Sequence, residues 1–162
     1  MAKTYTPIAT STMTVNAPSI TFSSIPAGYT DLKLIITFKR DNAGGIYLRF
    51  NGDSASNYSQ TFLEGNGSTA VSVRASNQTF AYVDYNSDTT NNGMYSIDLM
   101  NYSNTTTFKT YLASAGAAGS AIDKTVGLWR STSAISTILV ASSNGGNYFA
   151  GSSATLYGIL KA

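Results

Sequence analysis

The sequence predicts an all-β protein: an antiparallel, jelly-roll-like β-sandwich of about ten short strands. Three observations point to it. Apolar residues recur with period two along most of the chain, no long stretch carries helical periodicity, and clusters of Gly, Asn, Asp and Ser interrupt the alternation at spacings of about 8–15 residues. That spacing leaves no room for crossover helices, so a parallel sheet is excluded.

Taken in order, Ile20 and Phe22 share one face of a first short strand. Leu32, Leu34, Ile36 and Phe38 line one face of the next, with Lys33 and Thr37 opposite; Ile35 interrupts that polar face, as in a strand partly covered on both sides. Ile46, Leu48 and Phe50 repeat the pattern against Tyr47 and Arg49. Further strands are expected over 58–63, 71–74, 79–84, 94–100, 107–113, 124–130, 135–141 and 155–160. In these, Tyr95, Ile97 and Leu99 alternate with Ser96 and Asp98, Phe108, Thr110 and Leu112 point together, and so do Val126 and Leu128. Residues 113–121 are rich in alanine, but their glycines and missing apolar stripe predict a loop or wide connection. The turns fall at Ile25–Gly28, Asn42–Gly45, Asn51-Gly52-Asp53 and Asn144–Gly146, clusters of residue types that tolerate positive φ. Asn51-Gly52-Asp53 reads as a hairpin turn. Residues 1–18, polar and interrupted by Pro7 and Pro18, read as an N-terminal edge strand or arm, and 19–162 as a single sandwich domain.

A chain of 162 residues folds without disulfides or a metal, and this one has no cysteine. Thiolate metal sites, iron–sulfur clusters and cysteine nucleophiles are thereby excluded. There is no histidine either, which removes Ser-His-Asp triads and His-ligated metals. Charged residues make up 11% of the chain, against about 25% in a typical soluble domain. The net charge is +2, and Lys39-Arg40 is the one adjacent basic pair, so no nucleic-acid footprint appears. About a third of the residues are Ser, Thr or Asn. A surface coated with hydroxyls and amides lacks the charge repulsion that keeps monomers apart, which favours a protein docked in an assembly. Neither a secretory signal nor a run of about 20 apolar residues is visible, so no membrane partner is expected.

Candidate chemistry is thin. Asp84-Tyr85-Asn86-Ser87-Asp88 matches the first ligand positions of a calcium loop, but Thr89 and Tyr95 stand where such a loop needs glycine and a carboxylate. A solvated turn is the simpler reading, and no cofactor or metal is expected. A glycosidase pair needs only two carboxylates, yet Asp31, Asp41, Asp53, Asp88 and Asp123 sit at turn-like positions with local backbone to bind. Gly44-Gly45 and Gly145-Gly146 precede no helix and build no phosphate loop. Tyr82, Tyr85, Trp129, Tyr148 and Phe149 could stack on sugar rings, or could pack inside the sandwich.

The phrases Tyr5-Thr6-Pro7-Ile8, Ile20-Thr21-Phe22-Ser23-Ser24-Ile25-Pro26, Leu48-Arg49-Phe50-Asn51-Gly52-Asp53, Asn101-Tyr102-Ser103-Asn104, Val126-Gly127-Leu128-Trp129-Arg130 and Leu156-Tyr157-Gly158-Ile159 occur in this order across the whole chain. The series resembles a family of small virion proteins of tailed bacteriophages. The resemblance implies a non-enzymatic place on the virion, either as a head decoration (cement) protein or as a tail-fibre module, and it transfers no catalytic residue. Trp129 is then expected in the core, with Arg49 and Arg130 as buried partners of aspartates such as Asp31 or Asp98. The chain is expected to be complete, beginning at its own Met1, without a coiled-coil or collagen-like shaft; this favours the decoration protein. The expected partners are the major capsid protein or other virion proteins and sister subunits in a homotrimer, with assembly in the host cytoplasm. In the alternative, a receptor-binding tail module, the partner is a host glycan. Lys3, Tyr5 and Pro7 are the expected partner contacts.

Overall fold

The computed structural model of the protein describes residues 4–85 and 89–160. Among them there is no helix, and twelve strands form two antiparallel sheets. The larger sheet runs β1 (Tyr5–Thr12), β12 (Ser153–Ile159), β3 (Asp31–Phe38), β8 (Gly93–Met100), β9 (Lys109–Gly116), β10 (Ile122–Trp129), β5 (Tyr58–Gly65), β6 (Ala70–Gln78). The smaller runs β2 (Ser19–Phe22), β11 (Ile138–Ser142), β4 (Ile46–Phe50), β7 (Ala81–Tyr82).

Period-two alternation becomes a sandwich because each sheet has one apolar face to hide. Leu32, Leu34, Ile36 and Phe38 of β3 and Tyr95, Ile97 and Leu99 of β8 are buried against Ile20, Phe22, Leu48, Phe50, Ile138 and Val140 of the smaller sheet. Aromatic rings join the layers, with Phe50 centred 5.5 Å from Trp129 and 6.5 Å from Tyr111. Each such buried side chain is worth about 1.5–3 kcal/mol relative to exposure. Gly127 on β10 has a packing role: a Cβ there would stand 2.1 Å from the ring of the buried Tyr111, which lies across the gap.

Several expectations need correction. Asn51 and Gly52 do adopt positive φ (51° and 70°), and Asp53 N–H closes the turn on Phe50 C=O at 2.9 Å. The strands it joins are not paired, however. β4 lies in the smaller sheet and β5 in the larger, so the turn carries the chain across the sandwich. Tethers explain the departure: Asn51 Oδ1 accepts from the Ser136 and Thr137 amides, and Asp53 Oδ2 accepts from Trp129 Nε1 at 2.7 Å. Residues 113–121 are not one loop. β9 continues through Gly116, and only the tip between Gly116 and Ile122 is a turn, with Ala117 N–H bonded to Ala121 C=O. A Cβ at Gly116 would meet Ala121 O at 2.6 Å, so the missing side chain lets the hairpin close. The strand expected over 79–84 shrinks to the two residues of β7, whereas the one expected over 71–74 lengthens to the nine of β6.

Candidate functional site

Phe108, Thr110 and Leu112 do share a side of the chain, as do Val126 and Leu128, but that side is the outer face of the larger sheet. The inner places go to Lys109, Tyr111 and Ala113 on β9 and to Asp123, Thr125, Gly127 and Trp129 on β10. An apolar surface is therefore left to solvent. Val126 (54% exposed) stands opposite Leu112, and Met94 (65%) and Ile122 (69%) flank Gly116 from the two neighbouring strands. Leu63 of β5 lies opposite Lys124, between Ile122 and Val126. Charge on this face is sparse: Lys33 pairs with Asp98 at 2.7 Å, Lys124 Nζ donates to Ser114 Oγ at 2.5 Å, and Arg74 stands exposed at its β6 margin. An open recess of about 500 Å³ indents one end, lined by Met94, Ser96, Ser114, Gly116, Ala118 and Ile122. An exposed apolar face of this kind is a candidate interaction surface.

The expected contacts at the N-terminus lie on β1. Tyr5 is 52% exposed, its ring edge-on to Tyr157 at 6.4 Å, and Pro7 sits where the β1–β12 register slips. Lys3 lies outside the described residues. β1 is paired to β12 from Tyr5 through Thr12, so it belongs to the sheet.

Of the candidate sugar-stacking aromatics, only Tyr82 and Tyr85 are brought together. Tyr148 (0% exposed) and Trp129 (2%) are core residues, and Phe149 lies beneath Lys39 Nζ at 5.6 Å. Tyr82 and Tyr85 are half-buried in a ladder that closes one side of the sandwich: Phe62, Tyr85 and Tyr82 stack at 4.1 and 4.2 Å, and Tyr82 meets Phe80 edge-on. Tyr85 thus has both ring faces covered by protein. The sequence offered no sign of this ladder beyond the aromatic count, because Phe62 and Tyr85 come from different sheets' segments.

Buried charge is the feature that sequence reasoning missed. Arg40, Asp84, Lys109 and Asp123 are each 1% exposed. Asp84, first ligand of the supposed calcium loop, points inward, where its Oδ1 accepts from Ile46 N–H at 2.5 Å. Residues 86–88 of that loop, Asp88 among them, lie outside the described residues. Among the described residues no group of three or more acidic side chains is placed to hold a metal. Burial pushes the Asp84 carboxyl up to about 6, against the pull of the Ile46 amide and of the nearby Arg40 guanidinium. Arg40 itself donates from Nη1 to Gly45 C=O at 2.9 Å and to Ser142 Oγ at 3.4 Å. Burial, with the charges of Asp84 and Glu64, pushes Asp123 to about 7. Burial likewise pulls the Lys109 ammonium below its ordinary value, although it donates to the Thr107 and Thr132 carbonyls at 2.8 and 3.2 Å.

Asp31 and Asp41 do not bind local backbone as expected: they accept from the Asn101 and Asn147 amides at 2.7 and 2.8 Å, 70 and 106 residues away, and so tie distant segments together. The expected arginine–aspartate pairs do not form. Asp98 is taken by Lys33, Arg130 binds Ser59, Ser56 C=O and Asn77, and Arg49 lies over the Tyr47 ring. Cross-strand neighbours decide this: β3 sets Lys33 directly opposite Asp98, while Arg49 stands on the other sheet.

Asp123 sets a pH dependence. The folded protein holds this proton more tightly than the unfolded chain, whose carboxyl titrates at 3.8. The Asp123 contribution to stability is therefore greatest below that value and is lost as pH rises to about 7, by up to about 1.4 kcal/mol per pH unit. Asp123→Asn should raise the melting temperature at pH 8, leave it nearly unchanged at pH 4, and flatten the slope between. Thermal melts across that range test this; a variant that keeps the wild-type slope would show that Asp123 is not its source.

Neither a protein-family model nor a curated protein matches this chain.

Proposed function

We propose that the chain is a non-catalytic structural protein of a tailed-phage virion, bound to the head surface as a decoration (cement) protein. Its contact is protein to protein, made with the major capsid protein by the outer face of the larger sheet. The observation that supports this reading is the exposed run of Met94, Leu112, Ile122 and Val126 on a face whose lysines are already engaged. Docking such a face releases water from apolar area without desolvating an unengaged lysine. A tail-fibre module that stacks host glycan on the aromatics would need open ring faces, and Tyr85 has neither face free.

The experiment is binding to empty heads of the phage that encodes the protein, read by co-sedimentation. Ile122→Asp with Val126→Asp places carboxylates on either side of Lys124, so the outward side chains change while the fold keeps a favourable charge pattern. Head binding should weaken about 10–100-fold, the effect of about 1–3 kcal/mol of desolvation penalty, with an unchanged melting profile. Undiminished binding by the variant would remove this face from the contact.

A further inference from the structure

A sheet edge presents unpaired N–H and C=O groups, and proteins that are not meant to pair there blunt it. Three of the four edges in this sandwich are blunted. β1 carries Pro7 and a register slip between Pro7 and Ala9, β2 has four residues, and β7 has two. The fourth, β6, is unguarded. It has nine residues, no proline and one charge, Arg74, and among the described residues it pairs with β5 alone. Its one irregularity lies where Tyr58 and Gln60 of β5 meet it, with Asn77 at φ 57°, which leaves 70–75 regular. β6 also overhangs the smaller sheet. Val71 and Val73, on the side facing Glu64 and Phe62, should have been covered by that sheet, but it ends at the two residues of β7 and leaves them 44% and 43% exposed.

We propose that a second copy of this chain pairs with β6, edge to edge and antiparallel, about a two-fold axis through Ser72. The occupant is argued from self-complementarity. An axis at Ser72 sets Val71 opposite Val73 of the second copy and the reverse, so four valines cover one another on the overhanging side. On the other side Ser72 meets its own copy and Arg74 meets Ala70, so the one charged residue faces a small neutral one. An axis at Arg74 would oppose two guanidiniums, and one at Val71 or Val73 would leave a valine facing a smaller residue. Antiparallel edge pairing closes with two strands, so the assembly is two-fold and not three-fold. The proposal is independent of head binding, since the surface lies beyond β5 from the apolar outer face.

The absence of cysteine makes the test clean. Ser72→Cys should give a disulfide-linked dimer on mild oxidation, because the two thiols are directly opposed; Ala70→Cys should not, because its copies lie about 13 Å apart along the strands. Light scattering on the unmodified full chain should give twice the mass of one chain, and Val73→Lys, at an exposed position, should return it to one. A monomeric or trimeric mass for the unmodified chain, or equal cross-linking at both positions, would overturn the proposal. Should Val73→Lys fail to fold, the mass of the unmodified chain and the cysteine pair still decide.

Discussion

Trp129→Ala should cost about 3–5 kcal/mol, the usual range for removing a buried tryptophan and a large part of a domain's total of about 5–15 kcal/mol. Trp129 is 2% exposed, stacks on Tyr58 with centroids 6.3 Å apart, and meets Phe50 from the opposite sheet at 5.5 Å. Its Nε1–H also anchors Asp53, which accepts from the Ala55 amide and Asn57 Nδ2 as well. Burial would raise the Asp53 carboxyl, but those donors outweigh it and hold the group below its ordinary value. The same tether positions the sheet-crossing turn, through Tyr58 Oη–H donating to Asp53 C=O at 3.1 Å while Tyr58 Oη accepts from Phe50 N–H. Trp129→Phe keeps most of the ring contact and loses the hydrogen bond, so it should fall between wild type and Trp129→Ala. Urea unfolding followed by circular dichroism reads this, since the chain's single tryptophan is the one removed. Equal losses in the two variants would mean that the Asp53 tether, not ring packing, carries the effect.

The second large effect is at Arg40. Arg40→Met fills similar space but removes the cation whose charge helps hold the buried Asp84 carboxyl down, and leaving a buried polar group less well compensated typically costs about 1–3 kcal/mol. The loss should depend on pH in a defined direction. With Arg40 present, Asp84 titrates at about 6 against 3.8 unfolded, so its buried charge already lowers stability as pH rises through about 6. Without Arg40 the carboxyl moves higher still, and the penalty becomes steeper above that point. The variant should be less stable than wild type at pH 8 and close to it at pH 5, where Asp84 is protonated in both. Arg40→Met with Asp84→Asn should recover most of the loss at pH 8. A deficit independent of pH would show that Arg40 acts through packing against Tyr148 and the Gly45 loop instead.

These two residues also show how far the sequence could be read. Alternation identified β2, β3, β4 and β8 with their inner faces, because in each most of the large apolar residues fall on one parity, with Ile35, Met94 and Met100 the departures. β9 defeats that logic. Both parities are mixed, and the inner one holds Lys109, whose ammonium is satisfied by loop carbonyls that no local pattern reveals. The outer apolar face, the candidate docking surface, was legible as a set of residues sharing a side but not as the solvent side. That assignment depends on Tyr111 occupying the space above Gly127. The turn at Asn51-Gly52 was legible as backbone chemistry, yet its two strands part because Asn51 and Asp53 are tied to segments more than 70 residues away, Ser136 and Trp129. Asp84 and Asp123 read as turn residues, and Arg40 only as half of an adjacent basic pair. In a chain with so few charges, which of them go inside depends on contacts between sheets.

The exposed face of the larger sheet carries the functional account, and cryo-electron microscopy of the phage particle tests it most directly. The account predicts density for this sandwich on the head, with Met94, Leu112, Ile122 and Val126 turned toward the capsid surface and covered by it. Density at the tail tip, or on the head with that face open to solvent, would contradict it.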